Sequence, residues 1–229
     1  MAKRHVMIGI PAYSGTIHIP TMRCLLADTL DLARAGFAVT LNDDCGSTYL
    51  NDARADMVAE FLASEATDLF FVDWDVTWPM GAMRRVLSYP VDVVGGIYPM
   101  RTDPVSFTVR TLTENGYPVD EKTGLIEVMG LHTGFLRITR AAAEKMTKHY
   151  ADELTTARRG AEIVDLFEPY RISGTRRKLG DDYSFCQRWM DIGGKCWLDA
   201  GFDMGHIGLK TWVGRFGEFV PAKTKEAAE

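Results

Sequence analysis

The run Leu69-Phe70-Phe71-Val72 passes directly into Asp73-Trp74-Asp75. Four large apolar residues in succession, too few for a helix and bounded by polar residues, predict a strand buried on both faces. Such a strand needs a layer of helices above and below it, so this run points to an α/β chain. The segments before it agree. Val6 to Ile10 is a second apolar run, ended by Pro11 and opening into a loop over Ala12 to Ile19. From Thr21 to Ala35 the apolar residues Met22, Leu25, Leu26, Leu30 and Leu32 recur at helical spacing, with Gly36 as the stop. Phe37 to Leu41 reads as a strand and Asn42 to Ser47 as a turn. Ala53, Met57, Val58, Phe61 and Leu62 then mark one face of a second helix. A short helix from Pro79 to Leu87 and a strand from Val91 to Ile97 complete a strand-helix alternation. That alternation predicts a mostly parallel, Rossmann-like sheet with helices on both faces.

The second half reads differently. Val105 to Val109, Leu125 to Met129 and Phe135 to Ile138 look like short strands, with Asn115-Gly116 as a turn. Ala141 to Tyr150 is a helix, whereas Ala151 to Glu162 and the basic stretch Arg171 to Gly180 read as irregular, the latter as a mobile loop. A last helix carries Tyr183, Phe185, Cys186, Trp189 and Met190, followed by a strand over Lys195 to Leu198. With 229 residues the chain suits one domain over residues 1–220. Residues 1–99 form one half, residues 100–220 a more β-rich half, and 221–229 a flexible tail.

Composition narrows the class. Hydrophobic residues at 46% and charged residues at 25% are ordinary globular values. A net charge of −5 argues against a surface made for phosphate backbones in general, but allows a local basic patch. No stretch reaches the length of a membrane span or a secretory leader. The four cysteines form no C-x-x-C pair and suit free thiols in a reducing compartment. The expected protein is cytoplasmic, without a membrane span, and folds alone or as a homo-oligomer.

The chemistry is expected where the buried strand ends. In a strand, residues two apart point to the same side, so Asp73 and Asp75 would project together into the crevice beyond its carboxyl end. Paired carboxylates there suit a hard divalent ion, Mg²⁺ or Mn²⁺, which bridges protein oxygens to a diphosphate and neutralises a departing nucleoside diphosphate. Arg54, at the start of the second helix, is placed to reach the diphosphate or, more blandly, to pair with Asp52 or Glu60. Trp74 and Trp78 are candidates for stacking on a sugar or base, or for packing in the core.

Asp68 to Asp75 resembles the donor-site strand of glycosyltransferases with the GT-A fold, above all the broad family-two-like group. Ile10-Pro11-Ala12-Tyr13 is similar to the nucleotide-binding end of the first strand in that fold, and Asn51-Asp52-Ala53-Arg54 to its Asn- and Arg-bearing helix start. Val128 to Arg140, with His132, Gly134, Arg137 and Arg140, resembles the strand lining the sugar and acceptor side. Gly180-Asp181-Asp182 resembles the Gly-Glu-Asp motif of the acceptor-side helix, with Asp181 where Glu is more usual. The set covers residues 6–208. It implies a single GT-A-like α/β domain and transfer of a sugar from a nucleoside-diphosphate sugar, a UDP-sugar above all, to a hydroxyl acceptor, either a glycan or a modified base in DNA. It also implies that Pro11, Ala12, Tyr13, Asp44, Asn51, Arg54, Asp73, Trp74, His132 and Gly134 contact the donor, and that Asp73, Asp75 and His206 hold Mn²⁺ or Mg²⁺, with His132 as the rival histidine ligand. Asp182, at a helix amino terminus, would be the general base, with Asp181 as the N-cap. His18 would belong to the loop over the donor. A base at Asp182 speaks for inversion and a His ligand for retention, so the stereochemical outcome stays open.

Two other classes fit parts of the pattern. A nucleotidyltransferase also sets acidic residues and a metal above a parallel sheet, but Pro11-Ala12-Tyr13-Ser14 lacks the Gly-rich, basic signature expected after its first strand. A non-catalytic nucleotide-sugar-binding module would not need Asp73, Asp75 and Asp182 together.

Overall fold

Burial of the central strands on both faces sets the architecture. The computed structural model describes residues 4–112, 116–158 and 160–220; the tail 221–229 and Asn115 of the expected turn lie outside them. Strand β1 (His5–Pro11) pairs in parallel with β2 (Ala38–Asp44) and with β3 (Asp68–Val72). Val6, Ile8, Ile10, Phe70 and Val72 enter one apolar core, and Met7, Leu69 and Phe71 the other. Two opposite faces are thus covered, each by helices. Leu25 and Leu32 of α1 (Ile19–Arg34) pack in the first core, while Met57, Val58 and Phe61 of α2 (Leu50–Ala63) pack in the second.

The remaining elements are β4 (Val76–Thr77), α3 (Ala82–Ser88), β5 (Val93–Gly95), β6 (Arg110–Thr111), β7 (Ile126–Gly130), β8 (Phe135–Thr139), α4 (Arg140–Leu154), β9 (Thr155–Arg158), β10 (Ala161–Val164), α5 (Asp181–Asp191), β11 (Cys196–Leu198), β12 (Met204–Ile207) and β13 (Thr211–Gly214). Eight strands form one sheet in the order β2-β1-β3-β8-β5-β11-β7-β6, in which β8 and β7 run against the rest. The α/β class with a mostly parallel sheet and helices on both faces is the class observed. Strands from residues 1–99 and from residues 100–220 share that sheet. A hairpin, β9 with β10, and a small sheet β13-β12-β4 complete the strands.

Several local expectations are corrected. Strand β2 continues through Asn42, Asp43 and Asp44, read as a turn, because parallel pairing with β1 extends to Pro11 opposite Asp44. Helix α1 buries Thr21, Leu25, Asp28 and Leu32 and leaves Met22, Leu26 and Leu30 exposed. A polar residue decides that rotation: the Asp28 carboxylate accepts bonds from Trp78 Nε1 (3.0 Å) and the Met83 backbone N–H (2.9 Å), and from the Gly81 N–H. Asp28 thereby caps the neighbouring helix, and Trp78 is a core residue rather than a ligand contact. Residues 105–109 are irregular, whereas in the stretch from Ala151 to Glu162, expected to be irregular, residues 151–154 finish α4 and β9 (Thr155–Arg158) pairs with β10 (Ala161–Val164). The stretch 171–180 is irregular, as read, and an isolated bridge between Arg171 and Lys178 closes it. Arg137 and Arg140 do not line a sugar site. Arg137 is buried on Asp68 (2.7 Å), and Arg140 bonds the carbonyls of Phe61 (2.8 Å) and Ser64 (2.7 Å) at the end of α2. No helix among the described residues is long and apolar enough to cross a membrane.

Candidate active site

The carboxyl ends of β1, β2 and β3 open onto a cleft of about 210 Å³ lined by Pro11, Ala12, Tyr13, Asp44, Ala53 and Trp74, among others. Five of the residues expected at the donor therefore share one concavity, at the edge of the sheet where α/β folds place ligands. The cleft has an aromatic wall. His18, just before α1, stacks on Trp74 with ring centroids 5.0 Å apart and planes 12° apart, and the His18 N–H donates to the Trp74 carbonyl at 3.1 Å.

Beside the cleft lies a buried ionic cluster centred on Arg54. Its guanidinium is 2% exposed, so it is neither a surface ion pair nor presented to a phosphate. It bonds Asp182 Oδ1 (2.7 Å), Asp73 Oδ1 (3.2 Å) and Asp181 Oδ2. The three carboxylates hold Arg54 well above its ordinary pKa in spite of burial. Asp182 is further held by Thr133 Oγ1 (2.7 Å) and His132 Nδ1 (3.3 Å). Burial pushes the Asp182 carboxyl up, but Arg54, His132 and Thr133 together outweigh it and hold the group at about 2. Burial also pulls His132 down, yet the Asp182 carboxylate raises it above its ordinary value. The other His132 nitrogen, Nε2, donates to the Thr108 carbonyl at 3.2 Å. Asp181 moves the other way from Asp182: burial raises it, against the pull of Arg54. Asp181 is the first residue of α5 and Gly180 its N-cap, which corrects the expected capping role.

Asp73 and Asp75 are held by different partners. The strand ends at Val72 and the chain turns at once, with the Val76 N–H reaching the Asp73 carbonyl at 3.4 Å, so the two-residue alternation of a strand no longer applies. Asp73 faces Arg54 and the Tyr98 hydroxyl, which donates to its Oδ2 at 3.0 Å. Burial, then the Asp73 charge, holds that hydroxyl well above the usual tyrosine value, so it remains a donor. Asp75 turns instead to Arg101, with His206 Nε2 3.8 Å from its Oδ2. His206 stands on β12. Antiparallel pairing sets it opposite Val76 of β4, and the Ile207 N–H donates to the Asp75 carbonyl at 2.8 Å. Among the described residues no three His, Cys, Asp or Glu side chains converge as a metal group; the expected triad is a pair, Asp75 with His206, plus a separately engaged Asp73.

Two other expected residues have definite places. Gly134 is required by packing: a Cβ there would lie 2.4 Å from Asp73 Oδ2 and 2.6 Å from the Tyr98 hydroxyl oxygen. Asn51 sits outside the cleft lining and donates to Asp52 (3.0 Å) and Asp165 (3.2 Å). Tyr98, Arg101 and Thr133 were not expected. Tyr98 and Arg101 follow the end of β5, and a polar aromatic residue and an arginine just past a strand's carboxyl end are the signal that could have found them.

No protein-family model matches the chain, and no curated protein matches it. Among solved structures it is similar to A197 from STIV, with a TM-score of 0.56 and 17% identity over 89% of this chain and 86% of that one. That overlap supports a shared fold. It also overlaps, at TM-scores of 0.35 and 0.41, a glycosyltransferase involved in the glycosylation of the major capsid of PBCV-1 and the inositol-1-phosphate CTP transferase from T. maritima. For the first the identity is 13%, with 65% of this chain and 66% of that one covered; for the second it is 11%, with 86% and 85% covered.

Proposed function

We propose that the chain is a glycosyltransferase, acting as one domain over residues 1–220, that moves a sugar from a nucleoside-diphosphate sugar to a hydroxyl acceptor. The observation that carries this reading is the adjacency of an aromatic-walled cleft, at the ends of β1, β2 and β3, to a buried cluster of carboxylates, Asp73 just past β3 and Asp181 and Asp182 on α5, gathered on Arg54. The base packs against Trp74 in this reading, and the sugar lies toward Asp73, Gly134 and Asp182. UDP-sugars are the donors to test first.

The donor set at Asp75 and His206 fits a Mg²⁺ or Mn²⁺ ion. A carbonyl oxygen can only accept, so the 3.0 Å contact to the Pro99 carbonyl fixes the proton on His206 Nδ1 and leaves the Nε2 lone pair facing the Asp75 side. Such ions commonly take one or two protein ligands and complete their shell with phosphate oxygens and water. Bound there, the ion would supply Lewis-acid neutralisation to the leaving diphosphate.

Proton removal from the acceptor falls to the carboxylates at the start of α5. Both acids bond Arg54, and Asp182 is held in addition by Thr133 and His132, so the two can divide their roles. Asp182, at about 2, is a weak base and a firm anchor for Arg54, Thr133 and His132. Asp181, raised by burial, is the better-matched acceptor of a proton. Release of nucleoside diphosphate from a UDP-sugar in the presence of Mn²⁺ and acceptor, followed as a pH-rate profile, tests this. The rate should rise with pH as Asp181 ionises, at a pH above the ordinary aspartate value of about 3.9, and Asp181→Asn should remove turnover while sparing donor binding. No release from UDP-, GDP- or dTDP-sugars would refute the function; full turnover by Asp181→Asn would refute only the base.

A further inference from the structure

One short stretch, Tyr98 to Arg101, touches all three residues expected to hold a metal. Tyr98 bonds Asp73, the Pro99 carbonyl accepts from His206, and the Arg101 guanidinium bonds Asp75. The first two contacts orient their partners. The third places a positive charge against the carboxylate that, with His206, makes the proposed cation position.

We propose that Arg101 is a built-in counter-ion for Asp75 that a divalent cation must displace, so that the chain exchanges an internal cation for an external one when it loads its donor. This rests on the reading of Asp75 and His206 as the cation ligands. The reasons are steric and electrostatic. The Asp75 side chain is nearly buried, and such a carboxylate left without a cation is costly, so Arg101 stays in place until another positive charge arrives. A divalent ion approaching the same oxygens meets the guanidinium and is repelled by it.

The two arginines of the site differ in how readily they can leave. Arg54 is locked beneath three carboxylates, whereas the Arg101 side chain is 40% exposed and has one carboxylate partner among its described contacts. Its stem lies over Gly208, where a Cβ would come within 3.1 Å of Arg101 Cδ, so the absence of a side chain there makes the seat. The backbone nearby is tied down. Asp103, two residues on, accepts from Lys210 Nζ (2.6 Å) and from Trp212 Nε1 (3.2 Å), both from the β12–β13 region. The exchange is therefore a swing of the Arg101 side chain and needs no refolding of the segment.

The test is Mn²⁺ binding by electron paramagnetic resonance, with and without UDP, on the wild type, Arg101→Gln and Arg101→Lys. Arg101→Gln should bind Mn²⁺ about tenfold more tightly than the wild type, about 1.4 kcal/mol, because the competing charge is gone. Arg101→Lys keeps a positive charge and should stay near the wild type, and thermal melts check that both variants fold. Equal affinity in all three, or weaker binding by Arg101→Gln, would overturn the exchange and leave the ligand assignment standing. Absence of Mn²⁺ binding from all three, with UDP present, would overturn both.

Discussion

Replacing Arg54 with Met should lower the unfolding free energy by about 3–5 kcal/mol and abolish sugar transfer. One buried guanidinium holds together side chains from three elements: Asp73 beyond β3, and Asp181 and Asp182 on α5, reached from α2. Without it, three neighbouring carboxylates keep their burial and lose their common cation, which is the arrangement in which truncating one partner is most damaging. The acid dependence gives the change a signature. In the wild type the Asp182 pKa is depressed to about 2, so its contribution is present above the unfolded value of about 3.9 and is lost as the pH falls through about 2. In the variant all three carboxylates should titrate above their unfolded values, so mild acidification should recover more stability than in the wild type, where burial raises Asp73 and Asp181 but Arg54 holds Asp182 down. Urea unfolding at neutral and mildly acidic pH measures both. A loss below about 1 kcal/mol, within the range of a surface pair, would show that Arg54 does not organise the cluster.

Gly134→Ala should reduce kcat/KM by about a hundredfold, the scale of a misplacement near 1 Å at a reacting centre, while the protein stays folded. The added methyl would stand 2.4 Å from Asp73 Oδ2 and 2.7 Å from Tyr98 Cε1, closer than real side chains come, so the Asp73–Tyr98 bond must break or shift. Overpacking of this kind costs about 1–3 kcal/mol. Gly134 directly precedes β8, and its carbonyl accepts from the Asp73 N–H at 3.1 Å, which leaves little freedom to relax. Steady-state kinetics beside a thermal melt separate misplacement from unfolding. Unchanged turnover would mean that the Asp73–Tyr98 contact does not matter to the reaction.

What could be read from the residues follows the strength of local patterning. The strands around Phe70 and Ile8 were legible because both are apolar on two faces, and the helix after the Ile8 strand follows from spacing and the Gly36 stop. The clustering of Pro11, Ala12, Tyr13, Asp44 and Trp74 was legible because strand ends in a parallel sheet meet at one edge. Asp73 and Asp75 take different hydrogen-bond partners, which the sequence did not show, because the two-residue rule holds only inside a strand and theirs stops at Val72. The strand setting of His206 was not legible because β12 and β4 are short strands brought together by tertiary pairing. Arg54 read as a phosphate ligand because an arginine near acids looks exposed until the fold closes over it. Asp28 was invisible as a core residue because its partners, Trp78, Gly81 and Met83, are brought to it only by packing of α3 against α1. Tyr98 and Arg101 lie in a stretch without periodicity, where sequence patterns carry least information.

Calorimetric titration of UDP in the presence of Mn²⁺, on the wild type and on Trp74→Ala, tests most directly whether the nucleotide occupies the cleft at the ends of β1, β2 and β3. Stacking on an aromatic side chain is worth about 1–3 kcal/mol per base, so Trp74→Ala should weaken binding by about 5- to 150-fold at unchanged protein stability. Equal affinity in the two proteins, or no binding of any nucleoside diphosphate by the wild type, would contradict that placement.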